Sequence, residues 1–270
     1  MTRHIIFFLV VVQLLMPSVG RAIEGLPGSS WGELYGESTS NGYTNAILEG
    51  WIRQGVAWKK WQKGTASLQL NTYITARYKW DSEGFDWNNY LGPGAGVALE
   101  MYRPNGPVAS WGVEHIYQIN YRSADNAPYT ALFMDWYHWW DIANRQYPGS
   151  TWGAIRWEIP NSGDSNVTFE GWFRQGVVWK QWTYNNSSYI LDPYVKVRCK
   201  VDSEGLNWNN YIAPGIGIAI DRENPKGPSL SWGIEYSWEK NLSSGSDAHK
   251  VELYMRWYAW WDLMQQKTGK

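Results

Sequence analysis

Apolar and polar residues alternate one by one along most of this chain. From Leu68, one face collects Leu68, Leu70, Thr72, Ile74, Ala76, Tyr78 and Trp80, and the other Gln69, Asn71, Tyr73, Thr75, Arg77 and Lys79. Further on, Tyr189, Leu191, Val195, Val197, Cys199 and Val201 oppose Asp192, Lys196, Arg198 and Lys200. A period of two means β-strands, because successive side chains point to opposite faces of a sheet. Alternation held over 10 to 14 residues exceeds the usual strand of about 5–6 residues. It suits the roughly 9–11 tilted residues that carry a strand across a bilayer.

Turn-forming clusters break the pattern. In the first half they are Ser38–Gly42, Gln62–Gly64, Asp81–Gly84, Arg103–Pro107 and Ser123–Asn126, rich in residues that accept positive φ or a fixed φ. They leave six runs, near 31–38, 44–61, 66–80, 87–102, 108–122 and 129–143. The same order returns 121 residues later without a gap. Glu49-Gly50-Trp51-Ile52-Arg53-Gln54-Gly55 becomes Glu170-Gly171-Trp172-Phe173-Arg174-Gln175-Gly176, and Trp139-Trp140-Asp141 becomes Trp260-Trp261-Asp262. Such a fixed offset marks an internal repeat. The organisation expected is a leader over 1–22, a first six-strand repeat over 23–143 and a second over 144–270. The fold expected is all-β, about twelve antiparallel up-and-down strands closed into one barrel.

The fourth run of each repeat sets Pro93, Ala95, Val97, Leu99 and Met101 against Gly92, Gly94, Gly96, Ala98 and Glu100. Interior glycines weaken a strand unless something approaches closely. A bulky side chain opposite them inside a barrel, a permeation path, or a tight sandwich contact would each account for them.

The leader follows from a basic start (Met1–His4), an apolar run (Ile5–Met16) and small residues at Gly20 and Ala22, the layout of a secretory signal peptide. Without Arg3 and Arg21, Lys+Arg falls from 24 to 22 against 25 Asp+Glu, a charge of −3. No basic field for nucleic acid results. Cys199 is the one cysteine, so the chain has no internal disulfide framework.

Composition adds one strong constraint. The 21 Trp and 18 Tyr far outnumber the 6 Phe, which favours places greasy at one end and wet at the other, such as membrane interfaces or sugar-binding surfaces. With up-and-down strands, Trp58, Trp61, Trp111, Trp136, Trp140 and Trp152 fall near one rim, and Trp51, Trp80, Trp87 and Tyr121 near the other. That is the double aromatic girdle of a membrane barrel. Trp58, Trp61, Trp80, Trp87, Trp136 and Trp140 are taken as the membrane-interface set.

The run Trp87-Asn88-Asn89-Tyr90, leading through Pro93-Gly94 and Gly96 into a long alternating strand with Trp-rich ends, resembles outer-membrane barrels of the exopolysaccharide-export and phage-adsorption group. The resemblance implies an outer-membrane site in a Gram-negative bacterium, lipid around the barrel, and a polysaccharide or a polysaccharide-secretion complex as partner. It also implies export or passage of a polysaccharide or other polar solute.

Catalytic chemistry finds little support. His115, His138 and His249 are the histidines after the leader; none pairs with another at metal-ligand spacing, and no Gly-x-Ser-x-Gly elbow occurs. No cofactor, metal or enzymatic activity is expected. The polar faces instead carry Arg53, Arg77, Glu100 and Glu114 in one repeat and Arg174, Arg198, Asp221 and Glu235 in the other. Inside a barrel these would form an ion-paired filling or line a path for polar solutes. The rival architecture is a soluble, exported pair of β-sandwiches binding carbohydrate through exposed Trp. It needs a linker between units, and Asn144–Ser150 is no longer than the other turns.

Overall fold

The computed structural model describes residues 23–264, apart from 86–87, 104–105, 124–125, 143–145, 162 and 225–226. The leader and Trp87 therefore lie outside the described residues. Thirteen strand segments follow one another: β1 (Pro27–Thr39), β2 (Thr44–Lys63), β3 (Ala66–Asp81), β4 (Tyr90–Tyr102), β5 (Val108–Asn120), β6 (Asn126–Ile142), β7 (Tyr147–Pro160), β8 (Asn166–Gly176), β9 (Lys180–Tyr184), β10 (Ser187–Asp202), β11 (Tyr211–Glu223), β12 (Ser229–Asn241) and β13 (Asp247–Asp262). Chain neighbours pair antiparallel throughout, except that β8 and β9 both pair with β10, and β13 pairs β1 from Pro27↔Asp262 to Thr39↔Lys250. The sheet closes on itself. It is a twelve-stranded barrel with one extra segment, and closure leaves no edge to cap.

The extra segment comes from one interrupted strand. β8 and β9 pair with successive stretches of β10, and the break over 177–179 separates them. The equivalent place in β2 carries a bulge, where the register slips between Ala57 and Lys59. A bulge inserts an unpaired residue and swaps the faces beyond it, and the second copy enlarges that irregularity into a break. The two-residue turn at Asn185 and Asn186, with φ of 48° and 60°, then returns the chain into β10 in the manner of a tight hairpin.

Polarity is inverted relative to a soluble protein. Outward-pointing Ile74, Leu253, Ile216 and Val195 are 67%, 62%, 60% and 55% exposed, whereas Glu114, Asp192, Lys196 and Glu235 are 1–7% exposed inside. Such a surface is unstable in water and stable in hydrocarbon, where closure satisfies every strand's backbone. The tandem-sandwich alternative falls here, because one continuous sheet joins both halves. The short connections, including the two-residue turns after β2 and β9, share the end that holds the termini. The longer ones, 82–89 and 203–210, lie at the opposite end.

Candidate functional site: the barrel lumen

Parity on each strand decides which charges enter the lumen. In β3, Tyr73, Thr75 and Arg77 share the inner face, and in β5 Glu114 does. Glu114 is the hub of the first network. It pairs with Arg77 of β3, with Arg156 Nη1 of β7 at 3.2 Å and with Arg53 Nη2 of β2 at 3.7 Å. It also accepts the Tyr73 hydroxyl at 3.2 Å. The Arg53 guanidinium lies over the Tyr73 ring at 4.0 Å and reaches Glu100 of β4 at 3.8 Å. Glu100 in turn accepts the Asn71 amide at 2.7 Å.

The second repeat builds the same core with different edges. Arg174 of β8 lies over the Tyr194 ring at 4.0 Å and pairs with Asp192 at 2.7 Å and Asp221 at 3.1 Å. Tyr194 donates to Glu235 at 2.9 Å. Glu235 takes Lys196 as its cation at 2.9 Å, where the first repeat has Thr75. Tyr254 meets Tyr194, hydroxyl to hydroxyl, at 3.0 Å. Arg256 pairs with Glu33 and, at 3.3 Å, with Glu252. Arg198 stands apart from Arg174 and pairs with Glu170 at 2.8 Å.

Thus Arg53, Arg77, Glu100 and Glu114 come together, Arg174 joins Asp221, and Tyr194 links that pair to Glu235. Every lumen cation in these networks has a carboxylate within 4 Å. Tyr73, Tyr194, Tyr254, Asp192, Lys196, Arg156, Arg256 and Glu33 belong to the networks without having been singled out from sequence. Their position on the same face as Arg77 or Arg198, or register opposite it, was the available signal.

Glycines on the inner face of β4 and β11 make this packing possible. A Cβ at Gly96 would press on the Tyr73 hydroxyl, and one at Gly217 on that of Tyr194. With Phe133 and Ile116 also buried, the middle of the lumen is a belt of interlocked aromatic and ion-paired side chains.

The aromatics divide between two surfaces. Trp136 and Trp140 lie outside, over Gly153 and Gly149. Trp61 and Trp80 are exposed on the outer face, and Trp58, at the β2 bulge, donates to Thr72 Oγ1 at 2.8 Å. Trp51 and Trp152, expected in the rims, stand on the lumen face instead, two residues from Arg53 and four from Arg156 in unbroken register. Trp51 sits opposite Trp31, which sits opposite Tyr258. Trp172 sits opposite Trp152, which sits opposite Tyr137. Each row runs obliquely from the terminal end, at Tyr258 or Tyr137, past the level of Arg53 or Arg174 to an arginine of the next strand, Arg77 or Arg198. At the other end of the lumen charges predominate, with Lys79–Glu49 at 2.9 Å and Lys250–Glu37 at 2.8 Å.

A closed sheet, apolar outside and charged inside, is decisive. The chain is an outer-membrane β-barrel. It therefore resides in the outer membrane of a Gram-negative bacterium. No family model matches the sequence, and no curated protein does. Among solved structures it is similar to an outer-membrane channel of Pseudomonas putida F1, at 9% identity over 90% of this chain and 98% of that one, with a TM-score of 0.46. It is similar to the β domain of the Bordetella autotransporter BrkA, at 13% identity over 85% and 98%, TM-score 0.43. A bacterial polysaccharide outer-membrane secretin shares 11% identity over 88% and 99%, TM-score 0.41.

Proposed function

We propose that the barrel passes a polysaccharide or a similar polar solute across the outer membrane without chemically converting it. The reading rests on one observation: a charged mouth and an aromatic mouth meet at a central belt held by ion pairs. Fixed walls of this polarity attract and order a hydrated chain, and salt bridges that exchange partners let a belt part and reclose. Short turns mark the periplasmic side of such barrels, so the end holding the termini faces the periplasm. On that orientation a solute leaving the cell meets the aromatic rows first and the charged mouth last. Residues 1–22 direct export, 23–143 and 144–270 supply the two halves, and a polysaccharide-secretion complex delivers the solute.

Proteoliposome swelling tests this reading. Vesicles carrying the barrel should swell faster than empty ones in isotonic neutral sugar, and faster again when Glu114 and Arg77 are both replaced by Ser. If neither barrel outpaces empty vesicles, the passage reading fails.

A further inference from the structure

We infer that the lumen-facing aromatics of β6 and β13 at the terminal mouth, Tyr137, Trp139, Tyr258 and Trp260, form one binding cleft for an uncharged glycan chain, seated between them. The inference rests on the reading of the lumen as a passage, and it assigns that passage a substrate class. Tyr137, Trp139, Tyr258 and Trp260 are 43%, 44%, 48% and 62% exposed, yet all four lie on the lumen face and gain nothing from lipid. Large apolar area left open to water is unfavourable, and a ligand that covers it recovers that loss.

Three features define the ligand. First, the two sets face each other: β6 and β13 lie on opposite walls of the twelve-stranded barrel, and Tyr137 and Tyr258 are equivalent positions of the two repeats. Flat rings on two opposing walls suit a ligand with two apolar faces, as a pyranose presents through its axial C–H groups. Second, ring follows ring on adjacent strands about 4.8 Å apart, comparable to the advance per sugar in an extended glycan. Third, the charges beside the two sets are already matched. Arg53 lies opposite Ser29, which lies opposite Trp260, and Arg174 lies opposite Ser150, which lies opposite Trp139; each arginine is paired with a carboxylate. Such pairs offer hydrogen bonds to sugar hydroxyls and no surplus charge for an acidic polymer.

Equilibrium titration of the barrel in nanodiscs with cellohexaose and maltohexaose, and with a hexamer of galacturonate for comparison, tests the cleft. At least one neutral hexasaccharide should bind, and more tightly than the acidic one. Tyr137→Ala with Tyr258→Ala should weaken binding by about tenfold or more. These side chains are half-exposed, so the variant is expected to fold, and retained heat-modifiable migration on SDS gels checks that it has. Trp139→Ala with Trp260→Ala gives a second, independent reading. Wild-type binding confined to the acidic hexamer, no binding at all, or undiminished binding by both folded variants overturns the cleft. Swelling without hexasaccharide binding sinks the cleft and leaves passage standing; binding without swelling does the reverse.

Discussion

Trp261 on β13 donates its indole N–H to the side-chain oxygen of Gln54 on β2 at 2.9 Å, reaching across β1, which lies between them. It passes over Gly28, where any Cβ would overlap the indole. Gln54 turns its amide to the carbonyls of Leu26 and Pro27 at 3.2 Å each, so one side chain fastens the first strand to the last. The same clasp joins Trp140 to Gln175 at 3.0 Å over Gly149. A net hydrogen bond contributes about 0.5–1.5 kcal/mol. Gln54→Ala should therefore cost roughly 1–2 kcal/mol, and Gly28→Ala more, because it expels the indole itself. Both should lower the temperature at which the folded band is lost on SDS gels. A Gly28→Ala barrel as heat-resistant as wild type would show that the clasp does not hold the seam.

Glu114 and Glu235 occupy equivalent places but carry different loads. Removing the Glu114 carboxylate strands Arg77 in a buried belt and takes one partner each from Arg156, which keeps Asp135 at 3.5 Å, and Arg53, which keeps Glu100 at 3.8 Å; breaking a buried pair from one side costs about 3–5 kcal/mol. Glu235→Ala strands Lys196 alone. Urea unfolding in detergent should rank Glu114→Ala as the more damaging change. The double change Lys196→Met with Glu235→Leu should restore most of the loss of Glu235→Ala, since removing both partners of a buried pair is nearly neutral. A double variant as weak as the single one would argue against that pairing.

Much of this architecture could be read from alternation alone. Arg77 and Ile74 sit three residues apart, on opposite faces by parity, and the barrel turns one inward and the other to lipid. The twelve-strand closure followed from long runs, short turns and a gap-free offset. Trp51 and Trp152 were misplaced because tryptophan suits both a rim and a wet lumen, and only their shared parity with Arg53 and Arg156 separated the two. The bulge at Trp58 was not visible, since a single unpaired residue leaves the local pattern nearly intact while exchanging the faces beyond it. Nor did the sequence show which charges meet. Arg198 matches Arg77 in the repeat, yet it pairs with Glu170 because Lys196, in place of Thr75, already serves Glu235.

The connection from β10 to β11 should respond to acid. At its start, Asp202 accepts hydrogen bonds from Asn210 at 2.9 Å, Asn209 at 2.8 Å and the Leu206 N–H at 3.0 Å. Burial raises its pKa, but these bonds outweigh burial and hold it below the usual carboxylate value, which is about 4. A lowered folded pKa contributes stability above the unfolded value and loses it as pH falls through the folded one. Amide exchange at Leu206 should therefore quicken as pH drops below about 4, beyond the intrinsic trend for an open chain. Asp202→Asn should abolish that extra dependence. The same extra dependence in wild type and variant would assign it to another group.

Ile74 offers the most direct test of which surface meets hydrocarbon. It points outward from the middle of β3, 67% exposed, while Leu68 lies on the same outer face near the strand's start, opposite Trp61 in register. An arginine on the lipid face costs about 2–4 kcal/mol at the bilayer midplane and roughly 0–1 near an interface. Ile74→Arg should thus destabilise the barrel in phospholipid vesicles by several times more than Leu68→Arg, measured by reversible urea unfolding. The gradient is the informative quantity, because a water-facing sheet would tolerate both changes nearly equally. Equal and small costs would place this face in water and require the apolar band to be covered by protein. A steep gradient would fix the bilayer's midplane near Ile74, and with it the depth at which the Glu114 belt crosses the lumen.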